Sequence, residues 1–399
     1  MDIDRLRALD ATDPLAGFKA AFDLPEGLVY LAGNSLGAPP RGAPARLAEV
    51  VQAEWGGDLV AGWTRHDWIG APRRIGGKIA RLIGAEPHEV IVADSTSANL
   101  FKLIAAALEA APTRRTLLGL KGDFPTDAYV AAGVVRALAG GRRLRLVERS
   151  ELEGALDEDV ALLFLTHSHY KSSELCDMAA MNAAAHAVGA LALWDLSHST
   201  GVAEVDLNGS GADLAVGCGY KYLNGGPGAP AFLYVAERHQ DALVSPLSGW
   251  MGHAAPFDFA DAYRPAAGVD RFLCGTPPIL SLLALEVGVD LALEAEPAAM
   301  AAKARRLGDV FLELAAEHRP GLESACPGPG RMRGGHVAFR HPRAQAVSDA
   351  LAAQGVIGDV RPPDLLRFGL SPLYVGFEDV GRAAAALEAV LQSSAMTVS

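Results

Sequence analysis

The sequence predicts an α/β protein in which a large domain, with a mostly parallel mixed sheet flanked by helices, precedes a smaller C-terminal α+β domain. Two patterns in the 399 residues predict this architecture. Between about residues 51 and 235, short apolar runs with strand character alternate with longer helical stretches, as repeated βαβ units require. After about residue 277 the alternation gives way to two long helical stretches rich in Ala and Leu, followed by short strands and helices.

The large domain contains the alternating part of the pattern. Its predicted strands are 89–93, 116–120, 143–147, 160–165, 190–194, 212–216 and 231–235. Its clearest predicted helices are 98–110, 127–138 and 178–188. Strands separated in this way by helices pair in parallel and bury both faces of their sheet.

The last third predicts the smaller domain. Its expected elements are helices at 279–296 and 298–318 separated by Pro297, a strand at 336–340, a helix at 342–354, a strand pair near 356–360 and 366–370, and a closing helix at 378–392. We place the boundary near Pro277 and Pro278. The predicted division is an N-terminal segment (1–45) that contributes to the active-site and small-domain side, a large domain (46–277) and a small domain (278–399).

Composition excludes several classes of protein. The formal net charge of −12 argues against a nucleic-acid or anionic-membrane binder, because both favour basic surfaces. Neither a secretory signal nor an apolar run long enough to span a bilayer is visible. The four cysteines form no C-x-x-C pair, and a few scattered cysteines fit a reducing compartment. We therefore expect a cytoplasmic protein without a metal site.

The most informative segments are WDLSHSTG (194–201) and GCGYKYLNGGPGAP (217–230). Asp195 follows an apolar strand, at the edge where an open α/β sheet binds its ligands. Lys221 lies among aromatic, Gly and Asn residues rather than on a charged helix face. Pyridoxal phosphate needs both groups, because its aldehyde forms a Schiff base with a lysine and a carboxylate keeps its pyridine nitrogen protonated. His198 is close enough in sequence to hydrogen-bond or pack beside the ring.

Two further loops follow predicted strands and precede helices. In DSTSANL (94–100), Ser95, Thr96 and Ser97 lie where free backbone N–H groups and the helix dipole favour a phosphate, although the same residues are also common N-caps. In GDFPTDAY (122–129), Phe124 can stack on a flat ring and Asp127 can accept a hydrogen bond from a ring substituent.

Six segments together resemble kynureninases, which belong to class V of the fold-type I pyridoxal-phosphate enzymes. They are YLAGNSLG (30–37), DSTSANLFKL (94–103), FPTD (124–127), WDLSHSTG (194–201), GCGYKYLNGGPGAPAF (217–232) and TPPIL (276–280). Together with LLRFGLSPLY (365–374), the matches run in order from about residue 30 to residue 375. The resemblance implies hydrolysis of L-kynurenine to anthranilate and L-alanine, in tryptophan catabolism. It also implies 3-hydroxykynurenine as a second candidate substrate.

The resemblance also implies roles for individual residues. Lys221 would carry pyridoxal 5′-phosphate and move the Cα proton, with Asp195 at the pyridine nitrogen and Tyr220 as the acid that protonates the leaving carbon. The cofactor-binding set would be Thr96, Ser97, Phe124, Asp127, Thr166, Asp195, His198, Tyr220, Lys221, Trp250 and Thr276. Thr276 would come from the partner subunit, which implies a homodimer with shared active sites.

The substrate has an α-carboxylate and an aryl ring. A planar guanidinium suits the carboxylate, and the resemblance favours Arg367 in LLRFGLSPLY (365–374), with Arg361 as the nearby alternative. Trp63 would meet the aryl ring and favour kynurenine over its 3-hydroxy form. Asn34 and Ser35, in the GNSLG loop, would lie beside the substrate.

Other readings of the same motifs remain open at this point. GNSLG also fits the G-x-S-x-G turn of serine hydrolases, but Pro39 and Pro40 argue against the helix that such a turn needs. His167 and His169 form an H-x-H pair without a third ligand at a diagnostic spacing. A class V cysteine desulfurase would need a loop cysteine, for which Cys326 is the candidate, and a small-substrate aminotransferase or a non-catalytic relative would share the fold.

Overall fold

The computed structural model describes residues 3–138, 140–316, 321–328 and 331–395. For residues 394 and 395 it describes the backbone only. Its strands are, in chain order, β1 (Val29–Tyr30), β2 (Val90–Val92), β3 (Thr116–Leu120), β4 (Arg143–Val147), β5 (Val160–Thr166), β6 (Leu191–Asp195), β7 (Leu214–Cys218), β8 (Ala231–Val235), β9 (Glu323–Ser324), β10 (His336–Arg340), β11 (Val356–Ile357), β12 (Asp359–Arg361) and β13 (Leu365–Gly369). Its helices of eight residues or more are α1 (Ile3–Ala11), α2 (Gly42–Glu49), α3 (Ala71–Leu82), α4 (Thr96–Ala110), α5 (Pro125–Ala137), α6 (Met178–Ala187), α7 (Ile279–Glu294), α8 (Pro297–Ala316), α9 (Ala344–Ala352) and α10 (Phe377–Ala395).

The large sheet has seven strands in the order β2-β8-β7-β6-β5-β3-β4. Strand β8 is antiparallel to both of its neighbours, and the other pairs are parallel. The carboxyl ends of β2, β3, β5, β6 and β7 therefore lie along one edge of the sheet. The predicted fold class, a mostly parallel mixed sheet with helices, is confirmed.

Alternate side chains of the buried strands pack on opposite faces of this sheet, because successive residues of a strand point to opposite sides. On one face, Leu162, Leu193 and Val216 share a core with α4 and α5. On the other face, Leu163 and Trp194 share a core with α3, α6, α7 and the C-terminal elements. Both faces are apolar, which explains why the strands read as continuous apolar runs.

Local chemistry sets where the helices of the large domain begin. Ser95 caps α4 by accepting a hydrogen bond from the backbone N–H of Ala98 at 3.3 Å. Helix α5 begins at Pro125, two residues before the predicted start, because proline is well suited to the first turn of a helix. Asp177 caps α6 through the N–H of Ala180. Each helix therefore begins directly after the loop that a preceding strand delivers.

The C-terminal part has its own sheet, in the order β12-β13-β10-β9. The predicted strand pair near 356–360 and 366–370 is wrong in detail, because Gly358 separates two short strands with different partners. Strand β12 pairs with β13, whereas β11 pairs in parallel with β1 from the N-terminal segment. The predicted helix at 298–318 and the loop at 326–331 run partly outside the described residues.

Ion pairs connect helix α7, which follows Pro278, to helix α3 beside the large sheet. Arg74 and Lys78 of α3 form ion pairs with Glu286 of α7 at 3.0 and 2.9 Å, and Lys78 also reaches Asp290. The division of the chain near Pro277 and Pro278 remains a prediction. In the part of the chain that the structure describes, no helix combines the length and the apolar character needed to cross a membrane.

Candidate active site

Lys221 is the centre of the candidate site, in the loop that follows β7. Its Nζ lies 3.0 Å from Nε2 of His198, which follows β6. The same nitrogen is 5.9 Å from the centre of the Phe124 ring and 5.7 Å from that of Tyr220. Loops after β3, β6 and β7 thus bring one amine, one imidazole and two aromatic rings together at the carboxyl edge of the sheet.

His198 is a neutral hydrogen-bond partner for this amine. Burial, together with the nearby charge of Lys221, holds the pKa of His198 well below its ordinary value. A neutral imidazole accepts a hydrogen bond at Nε2 when its proton is on Nδ1. His198 can therefore hold the lysine amine in place without repelling it.

Asp195 is the last residue of β6 and is 4% exposed. Its Oδ1 accepts a hydrogen bond from the backbone N–H of Ser197 at 2.8 Å, and its backbone carbonyl accepts one from His167 at 3.0 Å. These bonds fix the carboxylate at the sheet edge, on the strand next to the one that leads to Lys221. The arrangement suits a carboxylate that must keep a ring N–H protonated.

Two more carboxyl groups crowd this edge. Burial raises the pKa of Asp123 to about 6, and Asp195 adds to the rise, while the N–H of Thr166 opposes it at 3.2 Å. Burial also raises the pKa of Asp127 well above its ordinary value, with further contributions from Asp195 and Asp123. Burial therefore favours the protonated form of both Asp123 and Asp127.

Several buried polar atoms near Lys221 or Asp195 have no hydrogen-bond partner among the residues that the structure describes. They include His198 Nδ1, Asp127 Oδ1 and Thr166 Oγ1. Thr166 lies directly beside Asp195 in the pairing of β5 with β6. Because buried polar groups are almost always satisfied, these atoms mark the place of a ligand with polar substituents. A lysine, a buried carboxylate, an aromatic ring and these donors and acceptors together fit pyridoxal phosphate.

The turn at residues 94–97 lies at the same edge. The N–H of Ala231 donates to the carbonyl of Asp94 at 2.9 Å, and Ala231 pairs with Cys218 at the end of β7. Ser95 is used as the N-cap of α4, which leaves Thr96 and Ser97 in the first turn of that helix. The N–H groups of such a turn are available to an anion.

Arg367 lies in a buried cluster of charges and is itself fully buried. Its guanidinium donates to both carboxylate oxygens of Asp359, to the Tyr170 carbonyl and to the Ser35 hydroxyl. The side chain of Arg361 is 35% exposed, and it shares Ser35 and Asp359 with Arg367. Two guanidinium groups facing one carboxylate leave one positive charge uncompensated. The Asn34 side chain is buried, and within the described part of the chain its polar atoms have no hydrogen-bond partner.

Trp63 and Thr276 lie together in a different place. They line an outer cavity of about 420 Å³ with apolar neighbours that include Trp55, Leu59 and Trp68. Trp63 meets Trp68 edge-on, and Trp250 stacks on Phe259 in another exposed aromatic group. Among the contacts of the described residues, none joins Trp63, Trp250 or Thr276 to Lys221.

Four residues of the site were not predicted from the sequence. Asp359 lies opposite Arg367 in the pairing of β12 with β13, a register that only the fold defines. Tyr170 meets Phe124 edge-on at 5.3 Å, and the ring of His336 lies 5.8 Å from that of His198. Asp123 was the most accessible to prediction, because it directly precedes Phe124 in the GDFPTD motif.

The alternative readings find little support in these contacts. The Ser35 hydroxyl donates to Asp359 and meets two arginines, whereas a hydrolase needs a histidine there. His167 and His169 bond to Ser199 and to the Gly122 carbonyl, and the described residues contain no cluster able to hold a metal. Burial raises the pKa of the Cys326 thiol, which is the reverse of what a nucleophilic thiolate needs.

Solved structures define the class of protein. A cysteine desulfurase from Escherichia coli matches with a TM-score of 0.79 and 17% identity, over 95% of this chain and 98% of that one. A cysteine desulfurase from Thermococcus onnurineus matches with the same score and identity, over 97% and 98%. At this identity the likeness shows the fold alone. The fold is that of the fold-type I pyridoxal-phosphate enzymes.

Sequence relatives define the family within that class. A kynureninase from Deinococcus radiodurans is 50% identical over 98% of this chain and 97% of its own length. A kynureninase from Burkholderia mallei is 46% identical over 97% and 95%. The family model described as the kynureninase C-terminal domain matches residues 300–387. The chain belongs to the kynureninase family.

Proposed function

We propose that this chain is a kynureninase that hydrolyses the Cβ–Cγ bond of L-kynurenine, with pyridoxal phosphate as cofactor, to give anthranilate and L-alanine. The observation that carries the proposal is the Lys221 amine, 3.0 Å from a neutral His198 and at the same sheet edge as the buried Asp195. In a member of the kynureninase family, we assign this amine as the group that holds the cofactor. Turnover of 3-hydroxykynurenine is a second outcome that the same site allows.

The chain's own residues supply the binding of the cofactor. Pyridoxal phosphate, when bound, links to an amine through its aldehyde carbon and withdraws electrons from the bonds around the substrate Cα. We assign Lys221 to the aldehyde and Asp195 to the pyridine nitrogen, with Phe124 on the ring face. The orphaned atoms of His198, Asp127 and Thr166 line the ring, and Thr96, Ser97 and Tyr220 hold the phosphate.

Lys221 and Tyr220 move protons. An amine held by the neutral His198 can accept the proton from the substrate Cα and return it. Burial, with the neighbouring Cys218 and Asp195, raises the pKa of Tyr220, so its phenol keeps its proton. A protonated phenol beside Lys221 is suited to donate to the carbon that anthranilate leaves.

The Arg367 cluster supplies the carboxylate site. The net positive charge of Arg361, Arg367 and Asp359 matches one α-carboxylate, and a guanidinium binds such a group with directed hydrogen bonds. Arg367 also donates to the backbone carbonyl of Tyr170, and the ring of Tyr170 packs on Phe124. This contact supports a fixed geometry between the carboxylate and the cofactor ring. Asn34 and Ser35 complete this wall.

We assign the aryl end of the substrate and the dimer contact to the outer apolar surface. Trp55, Leu59 and Val60 are 54%, 63% and 81% exposed, although they surround a cavity lined by Trp63 and Thr276. Large exposed apolar patches mark interaction surfaces. If a second copy of the chain packs on this patch, Thr276 and Trp250 of each subunit would lie beside the cofactor of the other subunit. Trp63 would then lie beside the aryl ring of the substrate.

We propose a cytoplasmic location, and the thiols support it. Cys176, Cys218, Cys274 and Cys326 are all free rather than paired. Unpaired cysteines are typical of a reducing compartment.

The function is tested with purified protein reconstituted with pyridoxal phosphate. We expect a visible absorbance band from the bound cofactor and, on addition of L-kynurenine, equal amounts of anthranilate, measured by fluorescence, and of L-alanine. A parallel assay with 3-hydroxykynurenine measures the preference that Trp63 is proposed to set. A coloured protein inert to both substrates contradicts the reaction but keeps the cofactor, and a colourless, inert protein contradicts both.

A further inference from the structure

Lys102 is a buried lysine for which the proposed reaction has no use. It lies on α4 and is 0% exposed. Its ammonium forms an ion pair with Asp94 and donates to the backbone carbonyl of Phe272 at 2.6 Å. Because burying an ammonium is costly unless it is paired and hydrogen-bonded, both partners are needed to keep it there.

Asp94 gives this pair its position in the site. It directly precedes Ser95, Thr96 and Ser97, the turn assigned to the cofactor phosphate. Its φ of 47° is in the left-handed region, which few residues with a side chain adopt. The carbonyl of Asp94 is held by the N–H of Ala231, and its carboxylate is held by Lys102. The shape of the turn therefore depends on a charge buried beneath it.

The other side of the pair belongs to the segment at residues 272–276. Besides the Phe272 carbonyl, the thiol of Cys274 lies 3.7 Å from both oxygens of Asp94. The Cys274 carbonyl accepts a hydrogen bond from Met251, the neighbour of Trp250. Trp250 and Thr276, two further residues of the proposed cofactor-binding set, therefore lie within two residues of groups that contact the same buried pair.

We propose that Lys102 is a positioning residue for the cofactor phosphate, which fixes the turn at residues 94–97 against the segment at residues 272–276. The inference rests on the proposed function, since that function places the phosphate at this turn. The two segments serve different subunits in the proposed dimer, so the pair also connects one cofactor site with the other. Loss of the lysine charge loosens the turn at residues 94–97 and the segment at residues 272–276 together.

The test compares Lys102→Met with Lys303→Met. Lys303 is a matched control because it is also buried and ion-paired, with Asp13 at 2.6 Å, but it lies on α8 in the C-terminal part of the chain. Apoenzyme of each variant is titrated with pyridoxal phosphate, and the ³¹P resonance of the bound cofactor is recorded. We expect Lys102→Met to weaken cofactor binding by about 10- to 100-fold, the usual effect of losing a supporting contact, and to shift the ³¹P signal.

Lys303→Met should lower thermal stability yet leave the cofactor affinity and the ³¹P signal as in wild type. Wild-type affinity and an unchanged ³¹P signal in Lys102→Met would overturn the proposal and leave the pair a structural one. If Lys102→Met does not fold, the double variant Asp94→Asn with Lys102→Met removes both charges and is expected to show the same weakened binding. Wild-type affinity in that double variant also overturns the proposal. A wild-type protein that binds no pyridoxal phosphate refutes the proposed function before any variant is compared.

Discussion

At the scale of single residues, the site depends on one amine in a particular environment. Lys221 is held by a neutral histidine and two aromatic rings. Lys171, by comparison, lies over the Tyr170 ring at 5.4 Å, next to the site but not at its centre. Lys171 therefore serves as a control for Lys221, because it is a lysine near the site that is not proposed to bind the cofactor.

Lys221→Ala should abolish the visible absorbance of the covalently held cofactor and lower turnover by several decades. Each decade corresponds to about 1.4 kcal/mol of barrier. Lys171→Ala is the control and should keep the absorbance band. A Lys221→Ala protein that retains the band would show that another lysine holds the cofactor. Absorbance spectra and anthranilate fluorescence measure both effects.

The two arginines of the carboxylate site should differ in their effect on substrate binding. Arg367→Met removes a fully buried guanidinium and should raise the KM for kynurenine by about 30-fold or more, since breaking a buried charge pair costs about 2–5 kcal/mol. Arg361→Met removes a partly exposed one and should raise KM by less than about tenfold. Steady-state kinetics with cofactor-saturated protein measure this, and the reverse order would make Arg361 the carboxylate ligand.

The pKa of Asp123 has a consequence for stability. A carboxyl whose pKa rises from 3.8 in the unfolded chain to about 6 in the folded one binds its proton more tightly in the folded state. Its burial penalty is absent below about pH 4, grows as pH rises through this window and is complete above about pH 6. Asp123→Asn should therefore stabilise the protein at pH 7, by at most about 3 kcal/mol, and should have little effect at pH 4.

Asp213 provides the opposite case. Burial acts to raise its pKa, but hydrogen bonds from His239, His186, the Ala192 N–H and Arg238 hold it at about 2. Its contribution to stability is present above about pH 4 and is lost as pH falls toward 2. Asp213→Asn should destabilise the protein at pH 7. Chemical denaturation of both variants across this pH range measures the free energies of unfolding, and a stabilising Asp213→Asn would contradict the assignment.

At the scale of elements, the site depends on how closely two loops approach. A Cβ at Gly37 would lie 2.2 Å from the backbone oxygen of Lys221 and 2.7 Å from Cα of Asn224. The N–H of Gly37 donates to the Tyr220 carbonyl at 2.8 Å. The GNSLG loop is therefore packed backbone to backbone against the lysine loop, and the two must move together.

Gly37→Ala should lower thermal stability and weaken cofactor binding, because the added methyl group displaces the backbone of the lysine loop. The expected cost is about 1–3 kcal/mol, the range found for overpacking. Gly154→Ala is the control, since its added Cβ meets nothing within 4 Å in a short helix, and it should be neutral or slightly stabilising. Thermal melts and cofactor titrations compare the two, and unchanged cofactor binding in Gly37→Ala would contradict the coupling.

At the scale of the whole molecule, the exposed apolar surface around Val60 is the one that we propose as the dimer contact. Val60→Asp should shift the protein from dimer toward monomer and lower activity at low protein concentration, because a charge is placed in an apolar contact. Ile3→Asp is the control, since Ile3 is 45% exposed on α1, away from this patch. Sedimentation velocity and activity measured against protein concentration test this, and a Val60→Asp protein that stays dimeric and active would place the interface elsewhere.

The sequence by itself determined the class of fold and the chemistry. Apolar runs alternating with helical stretches depend on local period, so strands β2 to β8 and the helices between them were predictable to within a few residues. The lysine and the turn proposed for the phosphate each follow a strand, the aspartate ends one, and parallel strands bring such positions to one edge. The position of the site at this edge of the sheet was therefore predictable from the sequence. The sequence relatives establish that the chain belongs to the kynureninase family.

Only the tertiary structure decided which groups meet across long separations in the chain. Asp359 faces Arg367, His336 packs on His198, and β1 pairs with β11 because of registers and packing that no local pattern encodes. The environments of Asp123 and Lys102 depend on burial, which is a property of the assembled core rather than of a segment. The charge state of the site and the support beneath the phosphate turn follow from that burial, because removal from water is what makes a charge depend on its neighbours.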